Sequence, residues 1–209
     1  MGNSRPCRVA LVVASLHILG GQAVQAQRNL EGFADDPEFH VWLVPINPVP
    51  PAPFDKLLSL KFVRTAVTQL LYWPLLFREL RRADIVHAYS ASYTSFLLAP
   101  LPAILVGKLL GKPVLLNYHS GEAPDHLQRS AVARYALRRL VDLNVVPSLF
   151  LRDVFESHQI PAIVVPNSID PGRFHYRVRD PIAPRLVSTR SFETLRALHQ
   201  RGRLDEPTR

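Results

Sequence analysis

Short apolar runs alternate with helix-patterned segments along most of this chain, and no other feature restricts the possible folds as much. Arg8–Ala14, Phe39–Val44, Ile85–Tyr89, Val114–Leu116, Leu143–Val146 and Ile163–Val165 read as strands without an apolar–polar alternation, as expected of strands buried on both faces. Between them lie helical patterns: Gln22–Phe33, Asp55–Arg82, a proline-broken stretch to Leu110, a segment from Pro124-Asp125 to about Leu140, and Leu149–His158, for which Ser148 is a natural cap. Connections are short. Strand–helix alternation with buried strands predicts an α/β fold: a Rossmann-like parallel sheet with helices on both faces.

Several local features punctuate this pattern. Pro45–Pro53 carries five prolines and reads as a loop. Pro74 should kink or break the helix around it, and Gly111 with Pro113 forms a C-terminal stop. The first apolar run has two readings. Arg5 and Arg8 ahead of Val9–Leu16, with Val24-Gln25-Ala26 beyond, has the shape of a secretory signal. The alternative is a buried first strand, a Gly20-Gly21 loop and an amphipathic helix carrying Ala23, Ala26, Leu30 and Phe33 on one side. The helical spacing favours the strand.

Composition narrows the function. A single cysteine, Cys7, excludes a disulfide framework and a cysteine zinc site and fits a reducing, cytoplasmic compartment. No apolar stretch reaches transmembrane length; Phe96–Val106 comes nearest and is interrupted by Pro100 and Pro102. The net charge of +8 favours anionic partners without choosing among phosphates, lipid headgroups and nucleic acid. No nucleic-acid module is recognisable, so no specific nucleic-acid partner is expected. Lys56–Arg82 sets Lys56, Lys61, Arg64, Arg78, Arg81 and Arg82 against Glu79 and interleaves them with aromatics. That suits either a core helix with a solvated face or peripheral contact with an anionic membrane, at the inner face in a cytoplasmic protein.

Of the strand ends, Val114–Glu122 is the richest in chemistry. An apolar run ends in Tyr118-His119-Ser120-Gly121-Glu122, and ligands of open α/β sheets bind beyond the carboxyl ends of their strands. His119 is the candidate catalytic group; its bland alternative is a histidine that satisfies a loop. Gly20-Gly21 offers backbone amides near a helix start, an anion site in form, but it is not a dinucleotide fingerprint. Hydrolase, zincin and P-loop signatures are missing, and the histidines have no metal-ligand spacing.

Taken in order, Gly20-Gly21, His87-Ala88-Tyr89-Ser90, Asn117-Tyr118-His119-Ser120-Gly121-Glu122, Val146-Pro147-Ser148 and Val165-Pro166-Asn167-Ser168-Ile169-Asp170 resemble the N-terminal domain of the family 4 retaining glycosyltransferases of GT-B fold, over roughly residues 8–175. The resemblance implies two Rossmann-like domains across a cleft, an N-terminal one for the acceptor and a C-terminal one for a nucleotide-sugar such as a UDP- or GDP-hexose, with no metal or other cofactor. It implies that Gly20 and Gly21 lie near the donor diphosphate and that His119 reaches the transferred sugar. Ser90, Tyr118, Ser120, Gly121 and Glu122 would complete the substrate-binding set, and Asn167–Asp170 would cross into the second domain.

Residues 1–170 are thus expected to form the acceptor-side domain and 171–209 a linker with an incomplete start of the next. Arg185–Glu193 resembles the first strand of that second domain, and Arg190 matches an arginine that contacts the diphosphate. Beyond Glu193 the resemblance ends in a basic tail; from Pro171 onward there are 9 Arg against 4 acids. The glutamate-rich ribose-binding motif of the family is not found. The expectation is therefore a hexosyltransferase chain without full activity alone, as a frameshifted, truncated or split gene would give; where a separate chain supplies the C-terminal domain, activity would return. A noncatalytic acceptor- or membrane-binding module is the alternative.

Overall fold

The computed structural model describes residues 5–15, 21–50 and 61–168. Six strands, β1 (Cys7–Val13), β2 (Phe39–Pro45), β3 (Ile85–Ser90), β4 (Val114–Tyr118), β5 (Leu143–Val146) and β6 (Ile163–Val164), form one sheet in the order β2-β1-β3-β4-β5-β6. Every pairing is parallel. Seven helices are described: α1 (Gly21–Gly32), α2 (Lys61–Leu80), α3 (Tyr93–Leu98), α4 (Pro100–Leu109), α5 (Ala123–Arg129), α6 (Ala131–Arg139) and α7 (Leu149–Ser157). The first apolar run is a central strand, hydrogen-bonded to β2 on one side and β3 on the other.

The helices divide unequally between the two faces. Tyr72, Leu76 and Leu80 of α2, Ile104 of α4, Leu127 of α5, Leu137 of α6 and Phe155 of α7 share one core with Ala10, Val12, Val86, Ala88, Leu116 and Tyr118 of the strands. On the opposite face, among the described residues, α1 alone packs through Ala26 and Leu30 on Leu11, Val13 and Tyr89. Crossover handedness accounts for this. Moving from β1 out to β2 places α1 on one face, whereas the later right-handed crossovers run the other way along the sheet and place their helices on the other.

Two details depart from the sequence expectation. The helix continues through Pro74 without a break. The segment 123–139 is two helices, because Ser130 leaves helical geometry (φ −104°, ψ 98°) and its side chain accepts a hydrogen bond from the Ala133 amide, capping α6. Helices cover both faces as expected, with α1 on one and the other described helices on the opposite one. Ser148 caps α7 as expected, accepting from the Leu151 amide at 3.3 Å. Lys56, the start of the predicted Asp55–Arg82 helix and the predicted strand Arg185–Thr189 lie outside the described residues.

Candidate functional site

The chain leaves β1 for β2 on one side and returns to β3 on the other, so the carboxyl ends of β1 and β3 flank the crevice in which open α/β sheets bind ligands. Its floor is tied together by one carbonyl. The Ser90 oxygen accepts from Gln22 Nε2 of α1 at 2.9 Å and from the His119 amide at 3.2 Å, joining the first turn of α1, the end of β3 and the residue after β4. At the outer side, the Ser15 amide donates to Asn47 Oδ1 at 2.8 Å, and Asn47 Nδ2 donates to Ser15 Oγ at 3.0 Å.

His119 follows β4 directly. Period-two alternation places His87, Tyr89, Asn117 and His119 on the same side of neighbouring strands. The rings form a ladder: His87 on Tyr89 at 5.2 Å and Tyr89 on His119 at 5.6 Å, each pair within 20° of parallel. Burial lowers the His119 pKa below the ordinary histidine value. Burial, with the neighbouring His119 second, lowers that of His87 to about 4. Both imidazoles are therefore neutral near pH 7, and their buried Nε2 atoms, like Asn117 Oδ1, have no hydrogen-bond partner among the described residues. Such groups are costly to leave unsatisfied. A ligand hydroxyl is one way to satisfy them.

Below this ladder, on the face that carries α1, lies a cavity of about 320 Å³. Carboxamides from Gln25, Asn29, Asn117 and Asn167 line it together with His87 and the Tyr89 and Ser168 side chains, over a floor that includes Leu115, Val145 and Ile163. Asn29 Nδ2 donates to the Tyr89 hydroxyl at 2.7 Å, and burial raises the Tyr89 pKa to about 12 against a hydrogen bond from Asn117. Ser168 is fastened to α1 by Gln25 and by the Arg28 guanidinium. Among the described residues no charged side chain lines the cavity. Its chemistry suits an uncharged ligand with several hydroxyls and an apolar face.

The remaining predicted residues are placed as follows. Tyr118 is fully buried on the opposite face, its hydroxyl 2.8 Å from Ser92 Oγ and 2.9 Å from His126 Nδ1, so it supports the loop from the core and cannot meet a substrate. The Ser90 side chain is also buried, with Oγ donating to the Ala91 carbonyl; only its backbone reaches the site. Ser120 Oγ accepts from the Glu122 amide at 3.3 Å, while Gly121 and Glu122 are exposed at the start of α5. Gly21 is the exposed first residue of α1. Gly20 and Arg190 lie outside the described residues. Sequence reasoning missed the cavity residues Gln25 and Asn29 and the buried His126. The His87/Tyr89 and Asn117/His119 alternation was the available signal for the face that they share. Among the described residues no three potential metal ligands converge.

A family model described as Glycosyltransferase Family 4 matches residues 19–173, a span that contains α1, the ring ladder and the cavity. No curated protein matches the chain.

Proposed function

We propose, for a chain that belongs to glycosyltransferase family 4, that its described domain is the acceptor side of a retaining GT-B hexosyltransferase. His119 is the residue that meets the transferred sugar, and the donor is a nucleotide-sugar. The observation that carries this reading is the His119 imidazole at the end of β4, its buried Nε2 without a partner among the described residues, stacked on Tyr89 above a carboxamide-lined cavity. Those groups suit sugar hydroxyls. They do not suit a diphosphate, because neutralising the charge that grows on a departing diphosphate needs preorganised cations or amides. The proposed donors to the diphosphate are therefore the Gly20 and Gly21 amides and Arg190, with the nucleotide held chiefly by a second domain.

Calorimetric and NMR titration tests the division of labour. Neutral mono- and disaccharides are expected to shift the His87 and His119 imidazole signals, and His119→Ala to weaken that binding. UDP- and GDP-hexoses should bind this chain only weakly. Tight binding of UDP or GDP without a sugar would overturn the assignment of the diphosphate to another domain.

A further inference from the structure

The helix layer on the crowded face of the sheet has an outer surface that the site does not use. The middle of α2 is tied to the junction of α3 and α4, where Gln69 Nε2 donates to the Leu98 carbonyl and the Tyr72 hydroxyl to the Ala99 carbonyl, each at 2.9 Å. The inner sides, Tyr72, Leu76 and Leu80 on α2 and Ala103 and Ile104 on α4, are fully buried on the sheet. The outer sides are nevertheless apolar. Leu70 is 74% exposed, Trp73 38%, Leu105 42% and Leu109 73%. Leu101, Leu105 and Leu109 recur every four residues and so form one stripe along α4.

The charge along the same segment is one-sided. Between residues 64 and 112 there are six cationic residues, Arg64, Arg78, Arg81, Arg82, Lys108 and Lys112, against Glu79 and Asp84, and Lys108 is paired with Asp142 at 3.0 Å. Both acids are already engaged. Glu79 is bridged by Arg78 and Arg82, and Asp84 by Arg5 and Arg8 at the start of β1. An aliphatic stripe with a tryptophan, on a segment with a cationic excess and no unpaired acid, is the complement of an anionic bilayer surface: leucines enter the acyl boundary, tryptophan sits at headgroup level, and arginines and lysines meet lipid phosphates. No described helix is long and apolar enough to cross a membrane, so the contact is peripheral.

We propose that the outer faces of α2 and α4 dock this domain on an anionic lipid surface. The inference is independent of the sugar-transfer reading, because none of the residues used here lines the cavity or the switch point. The test is co-flotation of the full chain with vesicles of phosphatidylcholine alone or mixed with phosphatidylglycerol. Binding is expected to the mixed vesicles, much less to the neutral ones, and to fall as salt rises. The double variant Leu105→Glu with Leu109→Glu should lose roughly tenfold or more in vesicle affinity, while its circular dichroism and thermal midpoint stay near those of the parent, since both side chains point outward. Tyr135→Glu, an equally exposed site on α6, should leave binding unchanged. Failure to float with the mixed vesicles would overturn the proposal, as would full binding by the leucine variant. A self-association that the leucine variant abolishes, without vesicle binding by the parent, would assign the surface to a protein partner instead.

Discussion

His87, His119 and His126 sit where water is scarce, and burial is the first cause lowering the pKa of each. Folded chains therefore hold these protons less readily than unfolded ones, so unfolding takes up protons and stability falls as pH drops through the histidine range. For His87 the window runs from 6.5 down to about 4. Asp84, held well below the usual carboxylate range first by its side-chain hydrogen bond to Arg8, stays ionised in the folded chain throughout that window and adds to the slope only at its acid end, where the unfolded carboxylate begins to take up a proton. The thermal midpoint should be lower at about pH 5 than at about pH 7.5, and His87→Gln should make the decline shallower. An unchanged slope in that variant would remove His87 from the account. A second residue-scale effect concerns Tyr118, whose hydroxyl bridges Ser92 and His126 in the core. Tyr118→Phe keeps the ring against Phe155 but strands two buried polar groups, and should cost about 1–3 kcal/mol in urea unfolding. The sequence alone located His119 at a strand end but left the burial of the Tyr118 side chain on the opposite face unread. Period two says that the two side chains point oppositely; it does not say which face the helices will crowd.

Helices and strands were legible where their period and caps agreed. β5 and the Ser148-capped α7 were read to within a residue, and the glycine at 111 indeed ends α4's turn in left-handed geometry, φ +67°. The break at Ser130 was not read, because the apolar spacing on either side of it runs on as though one helix were present. Ser130→Ala should cost about 1 kcal/mol through the lost cap, measurable as a lower thermal midpoint. Gly107 is another feature that only packing reveals. It is where α4 approaches the sheet most closely: a Cβ there would lie 2.9 Å from Val114 Cγ2 and 3.4 Å from Val86 Cγ2. Both valines are buried strand residues with little room to yield. Gly107→Val should therefore destabilise the domain by about 1–3 kcal/mol as an overpacked contact, despite valine's better helix propensity. A neutral effect would mean that α4 can lift from the strands without loss.

Across the whole sheet, the order of strands sets how the two faces differ. Direction reversal after β2 puts α1 on one face and the remaining described helices on the other, so β4, β5 and β6 are densely covered on only one side. The parallel sheet itself was legible in the alternation of runs, but this imbalance was not, because the point of reversal is a property of strand order and no local pattern encodes it. The same imbalance shapes the cavity, since no described helix covers the strand face beyond α1. It also predicts an energetic asymmetry within the sheet. On the sparsely covered face Ile163 is 47% exposed, so Ile163→Thr gives up little buried surface and should change stability by less than about 1 kcal/mol. On the other face Leu116 is fully buried between the helices and its neighbours, so Leu116→Ala removes packed methyl groups, leaves a cavity, and should cost about 2–5 kcal/mol. Urea unfolding of the two variants distinguishes the faces directly. Equal losses would mean that the sheet is buried alike on both sides, and the cavity would then be closed to a ligand.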